Sequence, residues 1–123
     1  MRKRVIMAIS FLMVGVLIYF LFNVGLISKS NLLLTIIRNY IPDICWTFSF
    51  FFMSINFSKN ITKYDLLLNS LFIIVISLTY ETLQFYNIVG GSFDIIDITL
   101  YFMSIIVSCL IEIKIRRREN EKN

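Results

Sequence analysis

The sequence predicts an all-α integral membrane protein, a bundle of four transmembrane helices with both termini cytoplasmic. Three observations point there. Hydrophobic residues make up 58% of the 123-residue chain and charged residues 16%, with a mean hydropathy of +0.79, too apolar for an ordinary soluble domain. The apolar residues fall into long runs separated by short polar breaks. The basic residues flank these runs, as topology determinants do. A net charge of +4 would also suit nucleic acid, but this placement does not, and no nucleic-acid partner is expected. Four spans fill residues 1–113 as one domain and leave a charged cytoplasmic tail, 114–123.

The first helix is expected over about 5–27. Arg2-Lys3-Arg4 precedes an uncharged run from Val5 to Ile27, long enough for the roughly 20 residues that a span requires. A cleaved signal peptide has a shorter apolar core and a small-residue cleavage site. Phe20-Leu21-Phe22-Asn23 offers no such site, so this helix is expected to be retained.

After the polar break Ser28–Asn31, the apolar stretch Leu32–Ile37 is too short to span. The second helix is therefore placed at 43–57. Pro42 sits at its entry, where the missing N–H is not needed. Asp43 falls in the first turn, where a negative charge suits the helix dipole. Tyr40 and Trp46 fit interfacial aromatic anchors.

Ser58–Asp65 reads as a polar turn. The third helix follows at 66–88, ended by Gly90-Gly91, since glycine tolerates the left-handed conformation at a helix stop. The fourth runs over 94–113, before a frayed tail.

With four spans, Arg2, Lys3, Arg4, Lys59, Lys63, Lys114, Arg116, Arg117, Arg118 and Lys122 share one side, and only Lys29 and Arg38 the other. The excess orients the chain in the plasma membrane with its ends inside.

This orientation gathers Arg38, Asp43, Glu81, Gln84, Asp94 and Asp97 at the outer end, with no comparable group at the inner end. Ser70, Ser77, Glu81 and Gln84 share one face of the third helix. On the fourth, Asp94, Asp97, Tyr101, Ser104 and Ser108 recur in steps of three and four. Simpler accounts stand beside this. Ser104 and Ser108 fit helix packing, and Asp43 and Asp94 fit N-caps. Glu81 either faces a cavity or pairs with Arg38 among the headgroups. A carboxylate within a span costs about 2.5–3.5 kcal/mol on insertion scales and usually has a partner.

Four crowded carboxylates with Arg38 as their cation need further compensation by protonation, a bound cation, or a cationic or hydroxyl-rich ligand. Glu81 and Asp97 are the acid–base candidates. Arg38, Asp43, Glu81, Gln84, Asp94, Asp97 and Tyr101 are the ligand-binding candidates. The chain has two cysteines, Cys45 and Cys109, and no histidine. Both cysteines lie in apolar runs, where they behave as small hydrophobes. No cofactor is expected, and a zinc or haem site lacks its usual ligands. A metal ion here would be a hard one such as Mg²⁺ or Ca²⁺.

Glu81-x-x-Gln84 followed by Phe93-Asp94-Ile95-Ile96-Asp97, after a Pro42-bearing helix entry, resembles the VanZ-like family of small bacterial membrane proteins. That family has a Glu-x-x-Gln pair near the end of one span and an Asp-x-x-Asp opening on the next. The likeness covers Arg38 to Ser108. The family's following Asn is Tyr101 here, its small glycines are Ser104 and Ser108, and Gly90-Gly91-Ser92 replaces an Arg often found before the Phe-Asp pair. The resemblance implies a short, divergent member linked to resistance to lipoglycopeptides such as teicoplanin. The expected partners are the bilayer and a lipid-linked or cell-wall headgroup. A small proton-coupled multidrug exporter is the alternative, although the first helix lacks the acid such proteins carry. A holin-like or structural protein is the third reading, from the small size and basic tail.

Overall fold

Local signals set where the helices begin and end. The computed structural model describes residues 2–25, 31–58 and 61–121. These form α1 (Arg2–Asn23), α2 (Leu32–Ile55), α3 (Lys63–Phe85) and α4 (Ile95–Asn120), with no strand among the described residues. α1, α3 and α4 are each long and apolar enough to cross a membrane. Large apolar side chains such as Met13, Leu33, Leu68 and Leu110 are exposed around the bundle, a surface suited to lipid rather than water. These are the features of a membrane protein.

Several sequence-based boundaries move. α2 starts at Leu32, so the short apolar stretch and the expected second helix are one element, with Pro42 inside it. Proline removes a hydrogen bond, here from the Arg38 carbonyl, and normally kinks or ends a helix. Tight packing offsets this loss. Pro42 and Cys45 are buried, and Gly15 of α1 lies so close that a Cβ there would meet Cys45 Cβ at 3.0 Å and the Pro42 carbonyl oxygen at 3.6 Å. A small residue at the crossing lets membrane helices approach. α1 itself buries a single stripe, Arg4, Ala8, Gly15 and Phe22, in steps of four and seven that follow the helical repeat.

α3 begins at Lys63 instead of 66, because Thr62 and Asp65 form a capping box rather than part of a loop. The Thr62 side chain accepts from the Asp65 N–H at 3.2 Å, and the Asp65 carboxylate accepts from the Thr62 N–H at 2.6 Å, so each satisfies an orphan donor of the first turn. Its stop is Asn87, in the left-handed region at φ 56°, not Gly90-Gly91. The Asn87 N–H donates to the Gln84 carbonyl and the Ile88 N–H to the Leu83 carbonyl, both at 2.9 Å, which is a Schellman stop. Asp94 caps α4, accepting from the Ile96 N–H at 2.9 Å. The tail is helical to Asn120 rather than frayed. Arg117 and Arg118 in the last turn suit the helix dipole. α1 stops at Asn23, with Gly25 at φ 75° just beyond. The expected end at 27, the Ser28–Ser30 break, Lys59 and Lys122 lie outside the described residues.

α2 touches each of the other three helices. Its aromatic block supplies the core: Phe48, Phe51, Phe52 and Ile55 pack with Ala8, Leu66, Ile73 and Ile105. Phe11 of α1 stacks on Phe48 at 4.8 Å between centroids. Arg4, at the start of α1, reaches Glu112 and Glu119 near the end of α4. The beginning of the first helix and the end of the last are therefore side by side.

Candidate functional site

The acidic residues gather where α3 ends and α4 begins. Glu81, on the last turns of α3, is 1% exposed. Its Oε1 accepts a hydrogen bond from the Tyr101 hydroxyl of α4 at 3.2 Å. Its Oε2 lies 3.5 Å from the Asp94 N–H, a long contact that contributes little. Asp94, besides capping α4, accepts from the Tyr40 hydroxyl at 3.2 Å, tying α2 to the same corner. Asp97, one turn further along α4, lies within electrostatic reach of Asp43, Glu81 and Asp94. Its Oδ1 is buried without a hydrogen-bond partner.

Gln84 completes this corner. It lies against the loop, where a Cβ on Gly91 would meet its Nε2, and Gly91 has φ +129°, a backbone conformation that favours glycine. The Gln84 Nε2 is 3.5 Å from the Gly90 carbonyl, while its Oε1 is buried and unpartnered. Burying an acceptor without a donor costs on the order of 1–3 kcal/mol. Asp97 Oδ1 is a second such acceptor.

The structure thus brings Asp43, Glu81, Asp94, Asp97 and Tyr101 together, with Gln84 at the rim. Two expectations change. Asp43 is not a first-turn residue but lies midway along α2, because that helix begins eleven residues earlier. Arg38 is not joined to the acids: its Nε donates to Asn39 Oδ1 at 3.1 Å, and no ion pair among the described residues links it to a carboxylate. Nor do three or more acidic or thiol side chains converge closely enough to hold a metal ion among the described residues. The chain was compared with family models, curated proteins and solved structures. None matches.

Beside this cluster, between α1, α2 and α3, lies a cavity of about 530 Å³. Asp43, Trp46, Thr47 and Phe50 of α2 face Ile73, Ile76, Ser77 and Tyr80 of α3 across it. Both sets follow the i, i+3, i+4, i+7 pattern of one helix face. Tyr19 of α1 forms the third wall and Tyr101 the floor.

The opposite end of the bundle carries a second polar site that the sequence reading missed. Arg4 meets Glu112 through Nε–Oε2 at 2.9 Å and Nη2–Oε1 at 2.8 Å, and Glu119 through Nη2–Oε2 at 3.0 Å. Glu112 is fully buried and Arg4 only 6% exposed. A bidentate arginine–carboxylate pair is among the stronger polar contacts. The signal was present: Glu112 follows Ser108 by four residues on the α4 polar stripe. Tyr40, read as an anchor, was also missed as a partner of Asp94, although it precedes Asp43 by one turn.

Proposed function

We propose that the chain crosses the plasma membrane four times with both ends in the cytoplasm. Its acidic end then faces outward and binds, or processes, the headgroup of a lipid-linked or cell-envelope molecule in the manner of VanZ-like proteins. α2 is the fourth span on this reading. Its 24 residues exceed the roughly 20 needed, and its charged residues turn toward the other helices or the interface. The ten-to-two division of basic residues supports the orientation.

One observation carries the functional reading: the site has more acceptors than donors. The Asp97 and Gln84 oxygens are buried and unpartnered, and Arg38 pairs elsewhere. A ligand rich in hydroxyl or amine donors supplies what is missing. Asp97 and Gln84 then contact the headgroup directly. Glu81 and Tyr101 hold each other in place behind them. A link to teicoplanin-type resistance follows from the family likeness.

The test compares Glu81→Gln and Asp97→Asn with the unmodified protein for glycopeptide susceptibility at equal abundance. Loss of the protein's effect in Asp97→Asn is expected. Unchanged susceptibility in both variants, in a strain where deletion has an effect, would sink the assignment.

A further inference from the structure

The cavity between α1, α2 and α3 shares Asp43 and Tyr101 with the acidic corner, but neither Asp97 nor Gln84, on which the headgroup reading rests, is among its lining residues. Its volume, about 530 Å³, falls within the roughly 300–1,000 Å³ typical of small-molecule sites. Five aromatic side chains line it: Tyr19 from α1, Trp46 and Phe50 from α2, Tyr80 from α3 and Tyr101 from α4. Trp46 and Phe50 stack at 5.9 Å between centroids, forming one continuous wall.

The polar part of the lining holds a single carboxylate, Asp43, and no lysine or arginine lines it among the described residues. Thr47 donates to the Asp43 backbone carbonyl at 2.8 Å and Tyr101 donates to Glu81, while Tyr19, Trp46, Ser77 and Tyr80 add hydroxyl and indole donors to the lining. No hydrogen bond among the described residues ends on the Asp43 carboxylate. An anion would be repelled by Asp43 and by the neighbouring Glu81, and a neutral apolar molecule would leave Asp43 uncompensated. Aromatic faces and a carboxylate together favour an organic cation.

We propose that this cavity binds a lipophilic organic cation. Its quaternary or protonated-amine centre lies beside Asp43, and its apolar groups lie against Tyr19, Trp46, Phe50 and Tyr80. Entry is lateral, from the bilayer, because Tyr19, Trp46, Phe50 and Tyr80 are all partly exposed at the rim.

Trp46 is the single tryptophan of the chain, so its fluorescence reports on the cavity. The full-length protein in neutral maltoside micelles is titrated with tetraphenylphosphonium. Neutral triphenylphosphine oxide and anionic tetraphenylborate serve as comparisons. Saturable quenching by the phosphonium is expected, with the neutral compound about tenfold weaker and the borate inactive. Asp43→Asn should weaken phosphonium binding about tenfold and leave the neutral compound unchanged. Ser77→Leu, which narrows the cavity without altering charge, should weaken saturable quenching in protein that keeps its helical circular dichroism. If Asp43→Asn does not fold, Ser77→Leu decides. Quenching that rises linearly with added phosphonium, that ignores ligand charge, or that is unchanged in Ser77→Leu would overturn the proposal.

Discussion

The two ends of the bundle solve the problem of buried charge in opposite ways. At one end, Arg4 meets Glu112 and Glu119 at 2.8–3.0 Å, so one cation is shared by two carboxylates and all three groups have a hydrogen-bond partner. At the other, Glu81 and Asp94 accept from two tyrosine hydroxyls and from backbone N–H groups, no hydrogen bond among the described residues ends on the carboxylates of Asp43 and Asp97, and no cation joins the four among the described residues. The first arrangement is complete in itself and reads as structural. The second leaves buried acceptors without partners, which is rare in folded proteins and is the observation on which the proposed headgroup reading rests. Both ends are acidic along the α4 stripe. A single arginine in α1 makes the difference.

The largest expected effect comes from removing that arginine. Arg4→Met leaves Glu112 buried without its partner and should cost about 3–5 kcal/mol, as breaking a buried pair from one side does. Thermal unfolding in detergent measures it. The double variant Arg4→Met/Glu112→Met should recover most of the loss. A single variant as stable as the parent would show that the two ends do not differ in this way.

An intermediate effect is expected at the acidic end. Tyr101→Phe removes the hydroxyl that donates to Glu81 and should cost about 1.5–3 kcal/mol, the range for a hydrogen bond to a charged group, by the same measurement. An equal or larger loss than Arg4→Met would mean that the acidic end, not the ion pair, holds the bundle.

The smallest effect sharpens the comparison from the other side. Arg38→Gln should change stability by less than about 0.5 kcal/mol, as substitutions away from buried networks do, and should leave phosphonium binding intact. A large loss of stability, or a gain in phosphonium binding, would place Arg38 in the acid cluster after all.

Much of this was legible in the sequence. Apolar runs located four helices, and steps of three and four placed Ser77, Glu81, Asp97 and Tyr101 on inward faces. Helical phase is a local property, so it survives without knowledge of the fold. What local reasoning missed depended on competition between signals. Pro42 and Asp43 looked like a helix start because proline and an acid favour a first turn. The structure runs the helix through both, since the contact of Gly15 with Pro42 and Cys45 is made only once α1 is in place. Asn87, rather than the two glycines, took the stop position: asparagine also tolerates the left-handed conformation, and there its N–H and that of Ile88 bond the Gln84 and Leu83 carbonyls.

The chain by itself determined the helical class, the apolar character that suits a membrane, and the stripes from which polar groups project. Those follow from composition and a fixed 3.6-residue period, which each segment carries alone. Only the tertiary structure decided which charges meet. Arg4 and Glu112 are 108 positions apart, and no local rule pairs them. Arg38 lies only five positions from Asp43, yet it turns away to Asn39. Pairing is set by how the helices lean on α2, and that packing leaves the acids at the start of α4 without a cation among the described residues.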